Sequence, residues 1–453
     1  MALGTSRTTG SLPANLVDTT RHKVAFRLLP FVFLLYVANY IDRANIAYAA
    51  IGMSRDLGFS DAVFGLGAGI FFISYVALHV PGAVLAERWI ARKLIAAIML
   101  VWGAVTALTA LVHTPAQLYL ARLALGVAES AFFPAVIVYL SHWFSHADRG
   151  KATSAFMAAI PISNVIGSPL AGWLLGHRWF GVQGWRWLFV AEGMPAILLG
   201  AFAFFYLTDL PKQANWLRHE EQNWLESRLR EDTPTSTQEI SIKSALRSRA
   251  IVMLSAVCFL IYIATYGMLF WLPSILKRWS GLSDASVGLL GALPYVAYFL
   301  AMIANGWHSD RSRERHWHCA IPMFIAAVGC CGLIFHPHSI SLIVFLLTIV
   351  NLGNGYLPVF FTIPTELLSQ SAAAAAVGMI NAVGSVAGFI GPYLVGYLNT
   401  KYGSFANGLA MMMISALAAG ILVLCVPRSA QSIATGLTPA HPRQMTANAP
   451  AGG

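Results

Sequence analysis

The sequence predicts an all-α integral membrane protein with twelve transmembrane helices in two pseudosymmetric six-helix bundles. Of its 453 residues, 57% are hydrophobic and only 11% are charged, whereas soluble domains carry about 25% charged residues. The hydrophobic residues are grouped in blocks of about 20, which is the length of helix that crosses a bilayer. The blocks lack the polar and apolar alternation of a transmembrane β-barrel. This composition argues against a soluble enzyme and against a disordered protein.

Twelve hydrophobic blocks are predicted to be the membrane spans, numbered 1 to 12 in chain order. They cover residues 26–48, 62–85, 94–112, 117–140, 152–175, 187–207, 250–273, 286–306, 319–336, 339–364, 373–398 and 405–426. The longest polar stretch separates span 6 from span 7. The predicted organisation is an N-terminal segment (1–25), an N-terminal bundle (26–207), a central loop (208–249), a C-terminal bundle (250–427) and a tail (428–453). The tail is rich in Ala, Pro, Thr and Gly, which is typical of disorder.

The central loop contains a segment with both charged and hydrophobic residues. Residues 216–230 are predicted to form a short amphipathic helix. Such a helix can lie in the plane of a membrane surface. We expect Trp216, Trp224 and Leu225 to contact that surface.

The basic residues predict the orientation. The net charge of +10 does not indicate a nucleic-acid partner, because Lys and Arg lie between the hydrophobic blocks rather than on one soluble surface. On this topology, 21 of the 29 Lys and Arg residues lie on the side of the termini and the central loop, six lie on the other side and two lie inside spans. Cytoplasmic loops of membrane proteins are enriched in Lys and Arg. Both termini and the central loop are therefore predicted to face the cytoplasm.

The two halves carry similar turns on the predicted cytoplasmic side. A basic turn that contains glycine follows span 2, and a similar one follows span 8. Paired halves with a site between them at the bilayer midplane are typical of transporters. We predict that these turns gate the cavity. The candidate gating residues are Arg88, Arg92, Asp310 and Arg311.

Four ionisable residues lie deep inside predicted spans: Asp42 and Arg43 in span 1, and Arg122 and Glu129 in span 4. A charge at bilayer depth costs about 2.5–3.5 kcal/mol even on the lenient insertion scale. We expect the four groups to meet in one water-filled cavity, where the arginines attract an organic anion and the carboxylates exchange protons. The sequence leaves open the alternative that these charges pair with one another and hold the helices together.

Other polar side chains recur at helical spacing and are candidates to line the same cavity. Tyr36, Tyr40 and Arg43 share one face of span 1. The remaining candidates are Asn39 on span 1, Tyr266 on span 7, and Asn381 and Ser385 on span 11. Glu192 and Glu366 are predicted to lie near span ends, where hydration is easier, so neither is assigned to proton coupling.

The sequence carries no recognisable enzyme motif. It lacks a P-loop, an HExxH zinc motif, a GxSxG elbow and a credible dinucleotide fingerprint. The missing P-loop argues against an ATP-driven pump in this chain. The five cysteines have no metal-ligand spacing and are interpreted as small apolar packing residues. The sequence therefore predicts no enzyme activity, no cofactor and no metal.

Four segments together resemble the anion:cation symporter family of the major facilitator superfamily. They are Asn39–Asn45 on span 1, Arg122–Pro134 on span 4, Gly184–Phe189 at the start of span 6 and Ser309–Arg315 after span 8. The resemblance extends over roughly residues 21–427. The bacterial branch that handles tartrate, phthalate, hydroxyphenylacetate and sugar acids is the most similar. One departure is Ser385, where many relatives have Asn, so the specificity is expected to differ.

The resemblance implies the major facilitator fold, alternating access and proton- or cation-coupled movement of organic anions. It associates Arg43 and Arg122 with the anion and Asp42 and Glu129 with proton coupling, and it places Tyr40 on the cavity wall. We therefore expect a proton symporter that imports a small organic carboxylate, with the substrate, protons and the lipid bilayer as its partners. We expect a monomer in a bacterial inner membrane. A proton-coupled exporter or exchanger of drugs or metabolites is the main alternative, and a membrane sensor without net transport is another.

Overall fold

The computed structural model describes residues 14–231, 248–368 and 370–427, and the predicted disordered tail lies outside them. Within these ranges, twelve helical segments are long and apolar enough to cross a membrane, as predicted. The helices of the first six spans are Ala14–Leu57, Asp61–Arg88, Ala91–Thr109, Pro115–Glu129 with Phe132–Ser141, His146–Met157 with Ala159–Leu175, and Gly184–Tyr206. Those of the last six are Arg249–Ser280, Asp284–Ser312, His316–Ile334, Ile340–Leu352 with Leu357–Phe360 and Ile363–Leu367, Gln370–Tyr402, and Ala406–Leu424.

Span 1 is longer than the sequence predicts. Its helix has 44 residues, whereas the hydrophobic block covers residues 26–48. The additional turns carry Arg21 and Lys23 at one end and Arg55 at the other. Hydropathy detects only the part of a helix that lies in the hydrocarbon region. The helix can continue into water, because its backbone hydrogen bonds are made within the helix.

Spans 4, 5 and 10 are broken helices, and a proline accounts for one break in each of them. A proline removes one backbone donor, and its ring clashes with the carbonyl four residues earlier. Pro134 accounts for the break at Ser130 in span 4, and Pro161 accounts for the break after Met157 in span 5. Pro364 likewise accounts for the end of a helix at Phe360 in span 10. Other prolines stand inside uninterrupted helices, so the position of a break is not predictable from proline alone.

The spans form two groups of six. Spans 1 to 6 pack mainly through the pairs 3 with 6, 2 with 4, and 1 with 5, while spans 7 to 12 pack through 7 with 11, 9 with 12, and 9 with 10. Extensive contacts between the two groups pair span 2 with span 11, span 5 with span 8, and span 1 with span 7. The two groups correspond to the two predicted bundles.

The two bundles meet closely at one end, called here the distal end, where spans 1 and 7 finish and spans 2 and 8 begin. A Cβ added to Gly172 in span 5 would lie 2.7 Å from Gly288 Cα in span 8, so the backbones touch there. Arg278 pairs with Asp61 across the interface, and Arg55 pairs with Asp284 at 3.1 Å. The structure is therefore closed between the bundles at the distal end. The opposite end, which carries the central helix His219–Glu231, is called the loop end.

The central helix packs on the bundle instead of lying on a membrane surface as predicted. It contacts span 1, and Leu225 is buried. Glu221 is fully buried and accepts a hydrogen bond of 2.6 Å from Lys23 Nζ. Burial alone would raise the pKa of the Glu221 carboxyl, but the hydrogen bonds from Lys23 and Arg218 lower it below its ordinary value. This contact thus stabilises the fold at neutral pH, and the stabilisation is lost as the carboxylate becomes protonated in acid.

Candidate functional site

Asp42 and Arg43 point in different directions from span 1. Successive residues of a helix are rotated by about 100°, so neighbours cannot share one face. Arg43 points toward spans 2 and 4, where it contacts Glu129 and the ring of Phe71. Asp42 points toward span 3, where it contacts Thr106. The expectation that all four charges meet in one cavity therefore needs correction.

Arg43 and Glu129 form a buried ion pair between spans 1 and 4. Arg43 Nη2 lies 2.9 Å from Glu129 Oε2, and the two side chains are 7% and 0% exposed. Asn39, one turn before Arg43, donates a 2.8 Å hydrogen bond to the same Glu129 oxygen. Glu129 is the last residue before the break in span 4. The predicted residues Asn39, Arg43 and Glu129 are thus in direct contact.

Arg122 lies close to this pair without joining it. Its Nε donates to the backbone oxygen of Gly67 at 3.3 Å. The guanidinium carbons of Arg122 and Arg43 lie 4.9 and 5.1 Å from the centre of the Phe71 ring, so one aromatic side chain contacts both cations. Such cation–π contacts contribute about 2 kcal/mol when they are removed from water. Phe71 has no polar atom, and sequence reasoning did not identify it.

Three polar atoms at this site make no hydrogen bond with the described residues. They are Arg43 Nε, Arg122 Nη2 and Glu129 Oε1, and all three are buried. Leaving a buried donor or acceptor unsatisfied costs about 1–3 kcal/mol, more for charged groups. Two unsatisfied guanidinium donors beside one apolar ring can bind a carboxylate, because its oxygens accept hydrogen bonds from planar guanidinium groups.

Asp42 is satisfied inside the N-terminal bundle. Thr106 Oγ1 donates to its Oδ2 at 2.5 Å, and Asn45 Nδ2 donates to its Oδ1 at 2.7 Å. Asp42 has 0% exposure, and among the described residues it forms no ion pair. Both of its partners donate hydrogens, so this arrangement suits an ionised carboxylate. Thr106 gave no signal in the sequence, because a threonine in a span is ordinary.

The two predicted tyrosines of span 1 differ in their surroundings. Tyr40 lies beside Arg43, whose guanidinium carbon is 5.1 Å from the ring centre. Tyr36 is buried and stacks on Phe156 of span 5, with the ring centres 4.0 Å apart. The two rings also meet edge to face at 5.0 Å. Tyr36 therefore packs within the bundle, and Tyr40 is the member of this pair that reaches the charged site.

The C-terminal bundle presents neutral groups toward this site. Tyr266 of span 7 meets Phe72 of span 2 across the bundle interface, with ring centres 4.6 Å apart. Tyr262 donates a long hydrogen bond of 3.4 Å to Asn381 Oδ1. Ser385, one turn beyond Asn381, is buried. The predicted residues of spans 7 and 11 thus lie on neighbouring faces inside the C-terminal bundle.

The prediction that Glu192 is a hydrated residue near a span end is wrong. It is the ninth residue of the helix Gly184–Tyr206 and is only 4% exposed. Its Oε2 accepts no hydrogen bond from the described residues. The prediction failed because hydropathy sets span limits only within several residues, and here the helix begins before the hydrophobic block. Glu366, by contrast, is half exposed at the loop end and pairs with Arg315 at 2.8 Å.

The predicted gating residues all lie at the loop end. Arg92 joins the start of span 3 to the end of span 6, because its backbone N–H and its side chain both contact Asp209. Asp310 accepts a 2.6 Å hydrogen bond from Arg315, and Arg311 lies over the ring of Trp307. Arg88 is exposed at the end of span 2. These contacts stay within one bundle each and do not close the loop end.

A cavity of about 310 Å³ lies at the distal end, away from the Arg43–Glu129 pair. It is lined by charged residues of both bundles, including Arg55, Asp61, Lys277 and Arg278. Arg278 pairs with Asp61, and Arg55 and Lys277 pair with Asp284, so the cavity belongs to the distal closure. The unsatisfied atoms of Arg43, Arg122 and Glu129 lie outside this cavity.

A family model, related sequences and a solved structure all show similarity of this chain to transporters. The model of the Major Facilitator Superfamily matches residues 32–392 and, in a second match, 274–447. The chain is 39% identical over 426 residues to an Agrobacterium vitis protein named "Putative tartrate transporter", covering 93% of this chain and 94% of that protein. It is 35% identical over 409 residues to the "Quinolone resistance transporter" of Acinetobacter baumannii, covering 89% and 94%. An inward-facing, unoccupied bacterial homolog of the human lysosomal transporter Spinster shares the fold, with a TM-score of 0.72, 19% identity and coverage of 92% and 96%.

Proposed function

The chain belongs to the Major Facilitator Superfamily, and from that premise we propose that it imports a small organic anion by proton symport. The substrate class is a carboxylate such as a dicarboxylate, an aromatic acid or a sugar acid. Its similarity to the protein named as a tartrate transporter supports this class. The buried pair of Arg43 and Glu129, with unsatisfied donors on both arginines, carries the proposal.

The coupling follows from competition for Arg43. With Glu129 ionised, Arg43 is held by that carboxylate at 2.9 Å. When Glu129 takes a proton, its attraction for the guanidinium falls, and Arg43 becomes free to bind a carboxylate of the substrate together with Arg122. Proton and anion therefore favour the same state of the site. Coupling of this kind is reciprocal, since each ligand raises the affinity for the other by the same factor.

The predicted orientation determines which side of the membrane the closed end of the structure faces. If the basic loop end faces the cytoplasm, as the distribution of Lys and Arg indicates, the closed distal end faces outward. The structure then represents a state that has closed to the outside. In this proposal the two bundles, 26–207 and 250–427, rock about the charged site to expose it to each side in turn, and Asp42 is a second candidate for proton binding.

Purified protein in proteoliposomes tests the proposal. Dicarboxylates, aromatic acids and sugar acids are first screened by counterflow, which needs substrate exchange but no proton gradient. We expect an imposed inward proton gradient to drive accumulation of any carboxylate that exchanges. In Glu129→Gln, which imitates the protonated acid, exchange should persist while gradient-driven accumulation disappears. Glu366→Gln is the control, because that carboxylate is half exposed and pairs only at the loop end.

Accumulation that a protonophore leaves unchanged would discard proton coupling, and wild-type accumulation in Glu129→Gln would discard the role of Glu129. The absence of exchange with every carboxylate would discard the substrate class.

A proton-coupled exporter of drugs is the second candidate, supported by the similarity to the quinolone resistance transporter. It predicts that an outward movement of a quinolone is driven by protons moving inward. Everted membrane vesicles distinguish the two directions, because an exporter accumulates its substrate in them when their lumen is acidified.

A further inference from the structure

Glu192 is a buried acid that the proposed transport mechanism does not use. It lies in the middle of span 6 with 4% exposure, and its Oε2 accepts no hydrogen bond from the described residues. Among those residues it also forms no ion pair. Burying an ionised carboxylate without a partner is strongly unfavourable. An ionised Glu192 therefore lacks a compensating positive charge, which a bound proton or a bound cation would supply.

The charge balance of the whole N-terminal bundle leads to the same conclusion. Within spans 1 to 6, the buried charged side chains of the described residues are Asp42, Arg43, Arg122, Glu129 and Glu192. Three carboxylates stand against two guanidinium groups. One further positive charge makes this interior neutral, which is the charge of one proton or one monovalent cation.

The structure also contains a place for such an ion. A void of about 10 Å³ lies between spans 1, 5 and 6 and is lined by Glu192, Asn45 and Asn164. Asn45 Oδ1, Asn164 Oδ1 and Glu192 Oε2 are buried and have no hydrogen-bond partner among the described residues. The hydroxyl-bearing residues Ser168 and Tyr48 line the same void.

The two amides are held with their oxygens available. Asn45 Nδ2 donates to Asp42 Oδ1, and Asn164 Nδ2 donates to the backbone oxygen of Ile160 at 3.0 Å. Turning either amide over would place its oxygen against another acceptor. The unsatisfied atoms of the lining residues are thus two amide oxygens, one carboxylate oxygen and the hydroxyl oxygens of Tyr48 and Ser168, which is a set of oxygen ligands that suits a hard cation.

We propose that this void is a sodium-binding site of the N-terminal bundle. A water molecule leaves the charge of Glu192 uncompensated, whereas a sodium ion neutralises it and can be bound by oxygen atoms that line the void. The void has about the volume of one water. Because the volume of about 10 Å³ is the lower limit for one water, the smaller sodium ion fits with clearance and the water-sized potassium ion does not, so the site favours sodium.

The site is connected to the transport residues through Asn45. This side chain lines the void and also donates to Asp42, and Asp42 is the neighbour of Arg43 in span 1. An ion at Glu192 therefore fixes the part of span 1 that presents Arg43 to Glu129. The proposal goes beyond proton symport and does not depend on it.

Thermal unfolding of the purified protein, followed by tryptophan fluorescence, tests the site without substrate or gradient. The midpoint is measured in sodium, potassium and choline chloride at equal ionic strength. A ligand that binds only the folded state stabilises it in a saturable manner. We expect a saturable rise of the midpoint in sodium and none in potassium or choline. Equal midpoints in sodium and choline would overturn the proposal and would leave the proton-symport assay unaffected.

Two substitutions locate the ion. Glu192→Gln keeps the shape and removes the charge, and the sodium concentration that gives half of the shift should rise at least about tenfold. Ser168→Ala should weaken the sodium effect. Ser141→Ala in span 4 is the control, because Ser141 does not line the void and its hydroxyl donates to the backbone oxygen of Val138 at 2.7 Å. A wild-type sodium response in Glu192→Gln would show that sodium binds elsewhere and would overturn this site. Equilibrium binding of radioactive sodium gives an independent reading if either variant unfolds too early.

Discussion

The two bundles bury different kinds of polar groups. Spans 1 to 6 bury five charged side chains, whereas the described parts of spans 7 to 12 bury no Asp, Glu, Lys or Arg. Buried tyrosines occur in both bundles, four in the N-terminal bundle and five in the C-terminal bundle (Tyr262, Tyr266, Tyr295, Tyr298 and Tyr356), so the charged side chains are what distinguishes the two. A buried charge is costly unless it is compensated. The contrast therefore predicts that the two bundles have different functions. In the proposed mechanism, the N-terminal bundle binds the ions, and the C-terminal bundle contributes neutral side chains to the cavity.

This comparison predicts that the largest effects of substitution come from the N-terminal bundle. Glu129→Ala leaves Arg43 buried without its ion-pair partner, which should cost about 3–5 kcal/mol of unfolding free energy. The double variant Arg43→Met with Glu129→Leu replaces the pair by apolar groups and should recover most of that stability without recovering transport. Thermal unfolding and uptake measure the two properties separately. If the double variant is no more stable than Glu129→Ala, the cost does not come from an unpaired charge.

The proposed mechanism also requires that the two bundles move as separate bodies. Gly172→Ala places a methyl group 2.7 Å from Gly288 Cα in the distal-closed structure, and overpacking of this kind costs about 1–3 kcal/mol. The population should therefore move away from distal closure. Labelling of a cysteine placed at Ser54, which lines the distal cavity, should become faster.

Gly176→Ala is the control for that substitution, because its Cβ would meet nothing closer than 3.6 Å. Equal labelling of the two alanine variants would contradict a steric role of Gly172 in the closure.

Asp42 tests whether buried charge matters outside the ion pair. Thr106→Val removes the hydroxyl that donates to Asp42 Oδ2, and an unsatisfied buried acceptor should cost about 1–3 kcal/mol. Thr109→Val is the matched control in the same span, since Thr109 Oγ1 donates only to the backbone oxygen of Val105 at 2.9 Å. The difference between the two unfolding free energies measures the contribution of Asp42. No difference would mean that Asp42 is neutral in the folded protein.

The smallest effect is expected in the C-terminal bundle. Tyr262→Phe removes a neutral hydrogen bond of 3.4 Å to Asn381, so the loss of stability should not exceed about 1.5 kcal/mol. The KM for substrate should change, while the dependence of uptake on the proton gradient should not. A changed proton dependence would show that ion coupling extends into the C-terminal bundle, and it would contradict the proposed difference between the bundles.

The twelve spans, the superfamily and the presence of charged residues deep in spans 1 and 4 were accessible from the sequence, although for different reasons. Spans follow from the local density of apolar residues, which folding does not change. The charges of spans 1 and 4 were conspicuous because few others lie inside hydrophobic blocks. Phe71 and Thr106 could not be found in this way, since an aromatic ring or a threonine is ordinary in any transmembrane helix.

The amino-acid sequence alone determined that this chain crosses a membrane twelve times and where its costly charges lie along the helices, because hydrophobicity and charge are properties of single residues. It did not determine which charges meet. The rotation of each helix against its neighbours placed Arg43 on Glu129, turned Asp42 to Thr106 and buried Glu192 beside Asn45 and Asn164. Those contacts arise from packing between distant segments, and no spacing within one segment encodes them.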